Sequence, residues 1–289
     1  MHWLVHNKFD HDPKVRDLIE NLRRLGVGYT RASVVPFSTE GFLFEKPVDE
    51  EASRAGGGHY TTVANIAGQL FVTTPDELAG ERVFTYGSYT MANNASRVFN
   101  PGAFISPDIS MVSLTEHYGK EMLNHDMVVG KIRDLEPDMD MFFIRPVEDT
   151  KSIVGEEYTK VYYQEWKRRI MEAGYSDSPT YASVTPDTLI CVAPCKQIDA
   201  EYRCFVVNGK VATASQYKMR RIPYFSSHVD SYILDYVNDL VSHWQPDKAF
   251  VLDVALSHGN LSVIEANCIN SSGLYEIDTQ KLITAVDEL

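Results

Sequence analysis

The hydrophobic and polar positions between residues 250 and 267 predict a β-hairpin. Two apolar runs flank the turn-forming sequence Ser257-His-Gly-Asn260. Because successive strand residues point to opposite faces, Asp253 lies on the face opposite to four apolar side chains, Phe250, Leu252, Val254 and Leu256. Glu265 and Asn267 share one face of the second strand for the same reason. The hairpin therefore carries oxygen-bearing side chains at isolated positions of two otherwise apolar strands.

The register of this hairpin decides whether Asp253 and Glu265 lie on the same face. A five-residue connection ending at Leu261 pairs them and groups three oxygen ligands, the set that Mg²⁺ prefers. A four-residue connection ending at Asn260 pairs Asp253 with Ile264 instead, because a one-residue slip reverses the faces of a strand. The acidic side chains would then be solvated edge positions. We predict the five-residue connection, since it also collects one buried apolar set: Leu252, Val254, Leu256, Ile264 and Ala266.

Patterns in the first part of the chain predict a smaller N-terminal α/β domain over residues 1–125. Apolar residues between Val15 and Leu25 recur at helical spacing, and Gly26 ends the helix. Further helices are expected over Tyr89–Arg97 and near Ser113–Leu123. Strands are expected at Trp3–His6, Val27–Val35, Leu70–Thr73 and Arg82–Tyr86. The Gly-rich segment Ala55–His59 is typical of an exposed loop, and we place the domain boundary between Leu123 and Met127.

Residues 126–289 repeat the alternation of strands and helices, which predicts a second α/β domain. Asn208-Gly209 is a strong signal for a two-residue hairpin turn. That turn would place three side chains on one face, Arg203, Phe205 and Gln216. Strands are expected at Met127–Arg133, Met141–Pro146, Leu189–Ala193, Ile198–Val207 and Lys210–Tyr217. Helices are expected for the apolar stripes Tyr158–Ile170 and Val229–Trp244, and for the closing segment Ile277–Leu289.

Composition limits the classes of function. The chain has 289 residues, 44% hydrophobic and 23% charged, as is typical of a globular protein of more than one domain. Its net charge of −13 argues against a broad nucleic-acid surface. No run approaches the roughly 18 apolar residues of a membrane helix, so we expect a cytoplasmic protein. The four cysteines lack the paired spacing of a zinc site, and we expect them to be free thiols: Cys191, Cys195, Cys204 and Cys268.

Three motifs occur in a characteristic order over residues 127–278. They are Phe143-Ile-Arg-Pro-Val147 followed by Lys151 and Gly155, Glu201-Tyr-Arg-Cys-Phe-Val-Val-Asn-Gly-Lys210, and Val263-Ile-Glu-Ala-Asn267. Together they resemble the ATP-grasp superfamily, and more narrowly a divergent clade, common in phage and bacterial genomes, that uses arginine where others use lysine. The resemblance implies an α/β (α+β) fold in which two lobes, residues 126–193 and 194–289, sandwich ATP behind the N-terminal domain.

The resemblance also implies roles for individual residues. Asp253, Glu265 and Asn267 would hold one or two Mg²⁺ ions. Arg203 and Arg221 would act in catalysis. Nucleotide contacts would come from Arg145, Lys151, Cys191, Val192, Ala193, Glu201 and Lys218, with the Cys191–Pro194 backbone as the hinge beside adenine. Two alternatives stay open: Glu201 and Arg203 pair with charges across the sheet, or the cluster of Lys218, Arg220 and Arg221 binds a substrate carboxylate.

The function implied by the resemblance is an ATP-dependent carboxylate–amine ligase that works through an acyl-phosphate and releases ADP and phosphate. Its partners would be small-molecule carboxylate and amine substrates, with amino acids or a peptide among the candidates. One alternative is an ATP- and magnesium-binding regulatory or scaffolding module without ligase turnover. Another is a ligase that modifies a protein. The sequence identifies neither substrate and does not indicate an oligomeric state.

Overall fold

The computed structural model describes residues 1–34, 42–44, 78, 80–148, 153, 155–174 and 184–289, and it divides into two compact units. Unit 1 contains residues 1–105, 269–274 and 279–289, and unit 2 contains residues 106–268 and 275–278. The division after residue 105 differs from the predicted boundary at 123–127. The end of the chain contributes to unit 1 instead of staying with the last lobe. The strand expected at Leu70–Thr73 and the loop at Ala55–His59 lie outside the described residues.

Unit 1 is built on a sheet with the strand order β3-β2-β1-β4-β5. The strands are β1 (His2–His6), β2 (Tyr29–Val34), β3 (Phe42–Phe44), β4 (Arg82–Tyr86) and β5 (Asn100–Gly102), and all neighbours are parallel except the antiparallel pair β2 and β3. The helices are α1 (Pro13–Leu25), α2 (Tyr89–Val98) and the C-terminal helix Thr279–Asp287. Short 3₁₀ turns occupy Asn7–Phe9 and Ile269–Ser271.

The ends of α1 show why the sequence folds locally as predicted. Asp12 caps the first turn by accepting a hydrogen bond from the backbone N–H of Lys14, and Pro13 supplies a helical φ without a wasted donor. Gly26 ends the helix with a left-handed φ of 67°. The apolar stripe then buries Leu18 and Leu22 completely. Each such side chain contributes about 1.5–3 kcal/mol by leaving water.

Unit 2 contains two antiparallel sheets. The first has the order β6-β9-β7-β8 and consists of β6 (Val128–Lys131), β7 (Met141–Pro146), β8 (Glu156–Thr159) and β9 (Leu189–Pro194). The second has the order β12-β11-β10-β13-β14 and consists of β10 (Ala200–Val207), β11 (Lys210–Met219), β12 (Ile222–Ser226), β13 (Ala249–Ser257) and β14 (Asn260–Cys268). The change from one sheet to the other follows Pro194, close to the predicted change of lobe at residues 193 and 194.

Three helical segments connect the strands of unit 2: α3 (Met111–Tyr118) with the 3₁₀ turn Gly119–Glu121, α4 (Lys160–Ala173), and α5 (Ser231–His243). The predicted stripe Tyr158–Ile170 is partly wrong. Tyr158 belongs to β8, while Val161 and Tyr162 are 77% and 55% exposed. Because the helix starts only at Lys160, its buried side is set by Tyr163 and Ile170. No helix in the described ranges is long and apolar enough to cross a membrane.

The core of unit 2 explains why one face of the second sheet is left for polar groups. The buried stripe of α5 belongs to a cluster that also contains Cys204 and Val206 of β10 and Leu252 and Val254 of β13. Arg203 and Asp253 alternate with these residues, so they point to the other face of the same two strands. Helix packing on one face thus fixes the direction of the polar side chains on the other.

Candidate active site

The hairpin of β13 and β14 combines both registers considered from the sequence. His258-Gly259 is a two-residue turn with φ of 49° and 80°, and Ser257 pairs with Asn260, so the predicted five-residue connection is wrong. A register shift of one residue then lies between Asp253 and Val254. Beyond that shift Asp253 pairs with Glu265, as predicted.

Ile264 is the extra residue at this shift, because Val254 pairs with Val263 and Asp253 with Glu265. Such a β-bulge changes which face a strand residue occupies. Ile264 therefore lines the cavity described below instead of joining the apolar face, and that part of the prediction is wrong. Val263, in its place, belongs to the buried cluster under the sheet.

Asp253, Glu265 and Asn267 form one group of hydrogen-bonded side chains. The Asn267 amide nitrogen donates to Asp253 Oδ2 at 3.3 Å and to Glu265 Oε1 at 3.0 Å. Asp253 is fully buried, whereas the Glu265 side chain is 23% exposed. In the described part of the chain no three His, Cys, Asp or Glu side chains form a group suited to a metal. The candidate set is two carboxylates and an amide.

Each carboxylate of this group is paired with an arginine. Arg203 lies opposite Asp253 on the neighbouring strand and donates from Nε to Oδ1 at 2.9 Å and from Nη2 to Oδ2 at 2.7 Å. Arg145 Nη2 lies 2.6 Å from Glu265 Oε2. Burial raises the pKa of the Asp253 carboxyl, and Arg203 opposes that rise. Burial lowers the pKa of Arg203, but Asp253 outweighs it and leaves the guanidinium charged.

These groups face a cavity of about 620 Å³ in unit 2. The lining comes from both sheets, and among the predicted residues it includes Arg145, Glu201, Arg203, Lys218, Arg221, Asp253 and Glu265. Within the described residues, Cys191, Val192 and Ala193 are buried in β9 and do not line the cavity, whereas Lys196 and Ile198, a few residues later, do. Lys151 lies outside the described residues.

A second polar group surrounds Glu201. Tyr217 donates its hydroxyl to Glu201 Oε2 at 2.6 Å, and Lys218 Nζ lies 3.2 Å from Oε1. Burial raises the pKa of the Tyr217 phenol well above its ordinary value, so it is a neutral donor. Glu201 therefore pairs across the sheet, in line with the alternative that the sequence left open.

The turn Asn208-Gly209 has two residues, as predicted, with φ of 49° and 72°. Register shifts on both sides of this hairpin nevertheless change its faces. Arg203 pairs with Ser215, and Gln216 pairs with Tyr202, so the prediction that Gln216 shares a face with Arg203 is wrong. Tyr217 is the extra residue between Gln216 and Lys218, and the shift turns its ring toward the cavity.

Arg221 lies at the rim of the cavity. Its guanidinium pairs with Glu157 of β8 through both nitrogens, with Nη1 at 2.8 Å from Oε2. The pair connects the two sheets of unit 2, and the Arg221 side chain is 66% exposed. Arg220 and Arg221 form the two-residue turn before β12, both at left-handed φ, 46° and 70°.

Sequence reasoning missed several lining residues, among them Phe143, Glu157, Lys196, Tyr217 and Tyr275. Lys196 and Phe143 adjoin motifs already singled out, so their position gave a usable signal. Tyr217 and Tyr275 gave none, because a register shift and a loop of unrelated sequence bring them to the cavity.

Two antiparallel sheets around a cavity lined by paired arginines and carboxylates define an ATP-grasp fold. The chain belongs to an ATP-grasp domain family, family 3 of its clade, whose family model matches residues 111–286. The predicted superfamily and the predicted α/β fold are confirmed. Comparison with curated protein sequences gave no match.

Solved structures share the fold at low sequence identity. D-cycloserine synthetase DcsG is 12% identical with a TM-score of 0.52, covering 100% of this chain and 99% of that chain. A RimK domain protein ATP-grasp from Sphaerobacter thermophilus DSM 20745 is 10% identical with a TM-score of 0.55, covering 94% and 92%. D-alanine–D-alanine ligase from Bacillus anthracis is 10% identical with a TM-score of 0.50, covering 100% and 92%. These likenesses extend along nearly the whole chain and concern its fold.

Proposed function

We propose that this protein is an ATP-dependent ligase that joins a carboxylate to an amine. The observation that carries the proposal is the convergence of two arginine–carboxylate pairs, Arg145–Glu265 and Arg203–Asp253, in one cavity. Phosphoryl transfer depends on positioned cations that absorb charge more than on a covalent protein group. A cavity of about 620 Å³ is also large enough for a nucleotide-sized ligand.

The side chains present fit the cofactors of this chemistry. Asp253, Glu265 and Asn267 supply hard oxygen donors from neighbouring strands, as a magnesium site requires. Magnesium bound there would neutralise charge on the phosphates of ATP. The forked guanidinium groups of Arg145 and Arg203 are suited to phosphate oxygens. The proposal extends to the other predicted nucleotide and catalytic contacts: Lys151, Cys191, Val192, Ala193, Glu201, Lys218 and Arg221.

Gly155 supports a ligand close to β7. A Cβ at this position would lie 3.0 Å from Phe143 Cζ and 3.5 Å from Arg145 Cβ, two residues that also line the cavity. A side chain at position 155 would therefore crowd the wall that carries Arg145. The missing side chain leaves backbone there, which a phosphate group can approach closely.

The proposed reaction has two steps. A carboxylate oxygen of the first substrate bonds to the γ-phosphorus of ATP while the bond to the bridging oxygen breaks, giving an acyl-phosphate and ADP. The amine of the second substrate then attacks the acyl carbon, loses a proton and displaces phosphate, leaving an amide. Arg203 and Arg145 stabilise negative charge on the transferring group in the first step.

The names of structures with the same fold agree with this proposal, since they include D-alanine–D-alanine ligase and an L-amino acid ligase from Bacillus licheniformis, the latter 12% identical with a TM-score of 0.52, covering 92% of this chain and 66% of that chain. The family assignment supports ATP as the nucleotide. Neither indicates which carboxylate or amine this protein uses.

The proposal is tested by incubating the protein with ATP, Mg²⁺, pooled amino acids and hydroxylamine, which traps an acyl-phosphate as a hydroxamate. We expect carboxylate-dependent formation of hydroxamate and ADP. Glu265→Gln should lower kcat about 100-fold, because a charged ligand and the partner of Arg145 are lost together. Glu172→Gln, at an exposed position of α4, is the matched control and should keep full activity.

Two results would contradict the ligase. Release of AMP and pyrophosphate would show that the α-phosphate, and not the γ-phosphate, is attacked. Tight ATP binding without turnover across a broad panel of acids and amines would favour the binding module that the sequence also allowed.

A further inference from the structure

Three aromatic rings form a continuous stack at one side of the cavity. The ring centroids of Tyr217 and Tyr275 are 5.0 Å apart at an interplanar angle of 10°, and those of Tyr275 and Phe225 are 5.5 Å apart at 20°. We refer to Tyr217, Tyr275 and Phe225 as the aromatic shelf. Tyr275 has a left-handed φ of 48°, an unusual backbone state for a tyrosine. Its loop is therefore held in a specific conformation that presents the ring.

The aromatic shelf begins beside Arg203 and ends at the surface. The Arg203 guanidinium carbon lies 4.9 Å from the Tyr275 ring centroid and 5.4 Å from that of Tyr217. Tyr217 and Tyr275 line the cavity, whereas Phe225 is 54% exposed. A ligand lying on the shelf would therefore have one end near the arginine proposed to contact the transferring phosphate.

The surroundings of the shelf are apolar and basic. Ile222 is 67% exposed and Tyr224 46% exposed on β12, the edge strand of its sheet. Lys218 Nζ lies 5.9 Å from the Tyr217 ring centroid, and Arg221 lines the same cavity. This combination occurs in a protein with a net charge of −13. Exposed apolar side chains next to a site are typical of ligand binding, and the adjoining cations favour an anion.

The charge of Arg203 decides between two ligands that aromatic rings can bind. Aromatic faces attract cations, so an ammonium group is one candidate. The guanidinium of Arg203 already lies over both tyrosine rings, and it would repel a second cation. A large apolar group attached to a carboxylate is compatible with the rings, with Arg203 and with the basic neighbours.

We propose that the carboxylate substrate of this protein carries an aromatic or large aliphatic side chain, which packs on the aromatic shelf with its carboxylate directed toward Arg203. This inference rests on the proposed ligase function, because the carboxylate is the group that would receive the γ-phosphate. The shelf is thus a specificity-determining subsite, and Phe225 is its outermost residue.

The experiment compares phenylalanine, leucine, alanine and aspartate as single carboxylates in the hydroxylamine assay. We expect phenylalanine and leucine to have kcat/KM at least tenfold above alanine and aspartate. Phe225→Ala should raise KM for phenylalanine about tenfold and leave the Kd for ATP unchanged, and Phe225→Leu should restore most of the loss. Tyr224→Ala is the matched control, since its side chain points to the opposite face of β12.

A separate binding measurement distinguishes failure of this inference from failure of the ligase. Titration calorimetry with phenylalanine, in the presence of Mg²⁺ and a non-hydrolysable ATP analogue, should show binding that Phe225→Ala weakens. Such binding without any turnover would support the shelf and contradict the ligase. Turnover that favours alanine or aspartate and does not respond to Phe225→Ala would overturn the shelf and leave the ligase standing. Absence of both binding and turnover with every carboxylate would overturn both.

Discussion

The pair formed by Arg203 and Asp253 is the most consequential residue contact of the site, because both side chains are nearly or fully buried. Removing one partner of a buried pair leaves an uncompensated charge, at a cost of about 3–5 kcal/mol. We therefore expect Arg203→Met to lower the free energy of unfolding by about that amount, together with turnover. Urea unfolding followed by circular dichroism measures the stability change.

The double variant Arg203→Met/Asp253→Leu separates the two effects. Replacing both charges with apolar side chains removes the unpaired carboxylate, so most of the lost stability should return. Turnover should stay absent, because neither the phosphate contact nor the proposed metal ligand is restored. A double variant as unstable as the single one would show that packing around Arg203, and not its charge, supports the fold.

At the scale of elements, the turns of the second sheet differ in how well their residues suit the backbone. Asn208-Gly209 and His258-Gly259 have glycine at the second left-handed position, whereas Arg220-Arg221 has two side chains at left-handed φ. A non-glycine residue there costs about 1 kcal/mol or more. The strained turn directs Arg221 to Glu157, a mostly exposed pair that contributes at most about 1 kcal/mol.

Arg220→Asn/Arg221→Gly should therefore raise the stability of the protein by about 1 kcal/mol, because Asn-Gly is the preferred sequence for this turn. The same change should impair ligase activity through loss of Arg221. Glu157→Gln is the control, since it weakens the ion pair and leaves the turn intact. Thermal unfolding and initial rates of ADP release measure both quantities. A less stable Asn-Gly variant would mean that the Arg221–Glu157 pair outweighs the strain.

At the scale of the whole molecule, the charges of the site predict how ligands affect stability. Asp253 and Glu265 already have arginine partners, so Mg²⁺ alone has little net charge to neutralise. ATP supplies phosphates as alternative partners for Arg145 and Arg203, which frees the carboxylates for the metal. Mg²⁺ with a non-hydrolysable ATP analogue should raise Tm, and at 100 times Kd the gain is about 2.7 kcal/mol.

The same measurement has clear controls. Mg²⁺ alone should shift Tm by much less than the two ligands together. Asp253→Asn and Glu265→Gln should reduce the gain from the combined ligands, and Glu172→Gln should keep it. An equal shift from Mg²⁺ alone would show that the metal site forms without displacing the arginines.

Local sequence patterns determined much of the fold and the positions of the polar side chains. The end of α1 at Gly26, the turn at Asn208-Gly209 and the strands around Asp253 and Glu265 were all predictable, because they depend on residues close in the chain. The motif order also indicated the superfamily. Alternation within a strand was enough to predict that acidic and apolar side chains point to opposite faces.

Only the tertiary structure decided the register shifts and the long-range contacts. The extra residues Ile264 and Tyr217 follow from how whole strands fit together and how the sheet buries its apolar face, so no local pattern predicts them. The pairing of Arg221 with Glu157 and the stacking of Phe225 on Tyr275 join residues that are at least 50 positions apart. Sequence periodicity thus determined which side chains are polar or buried, and non-local packing decided which of them meet.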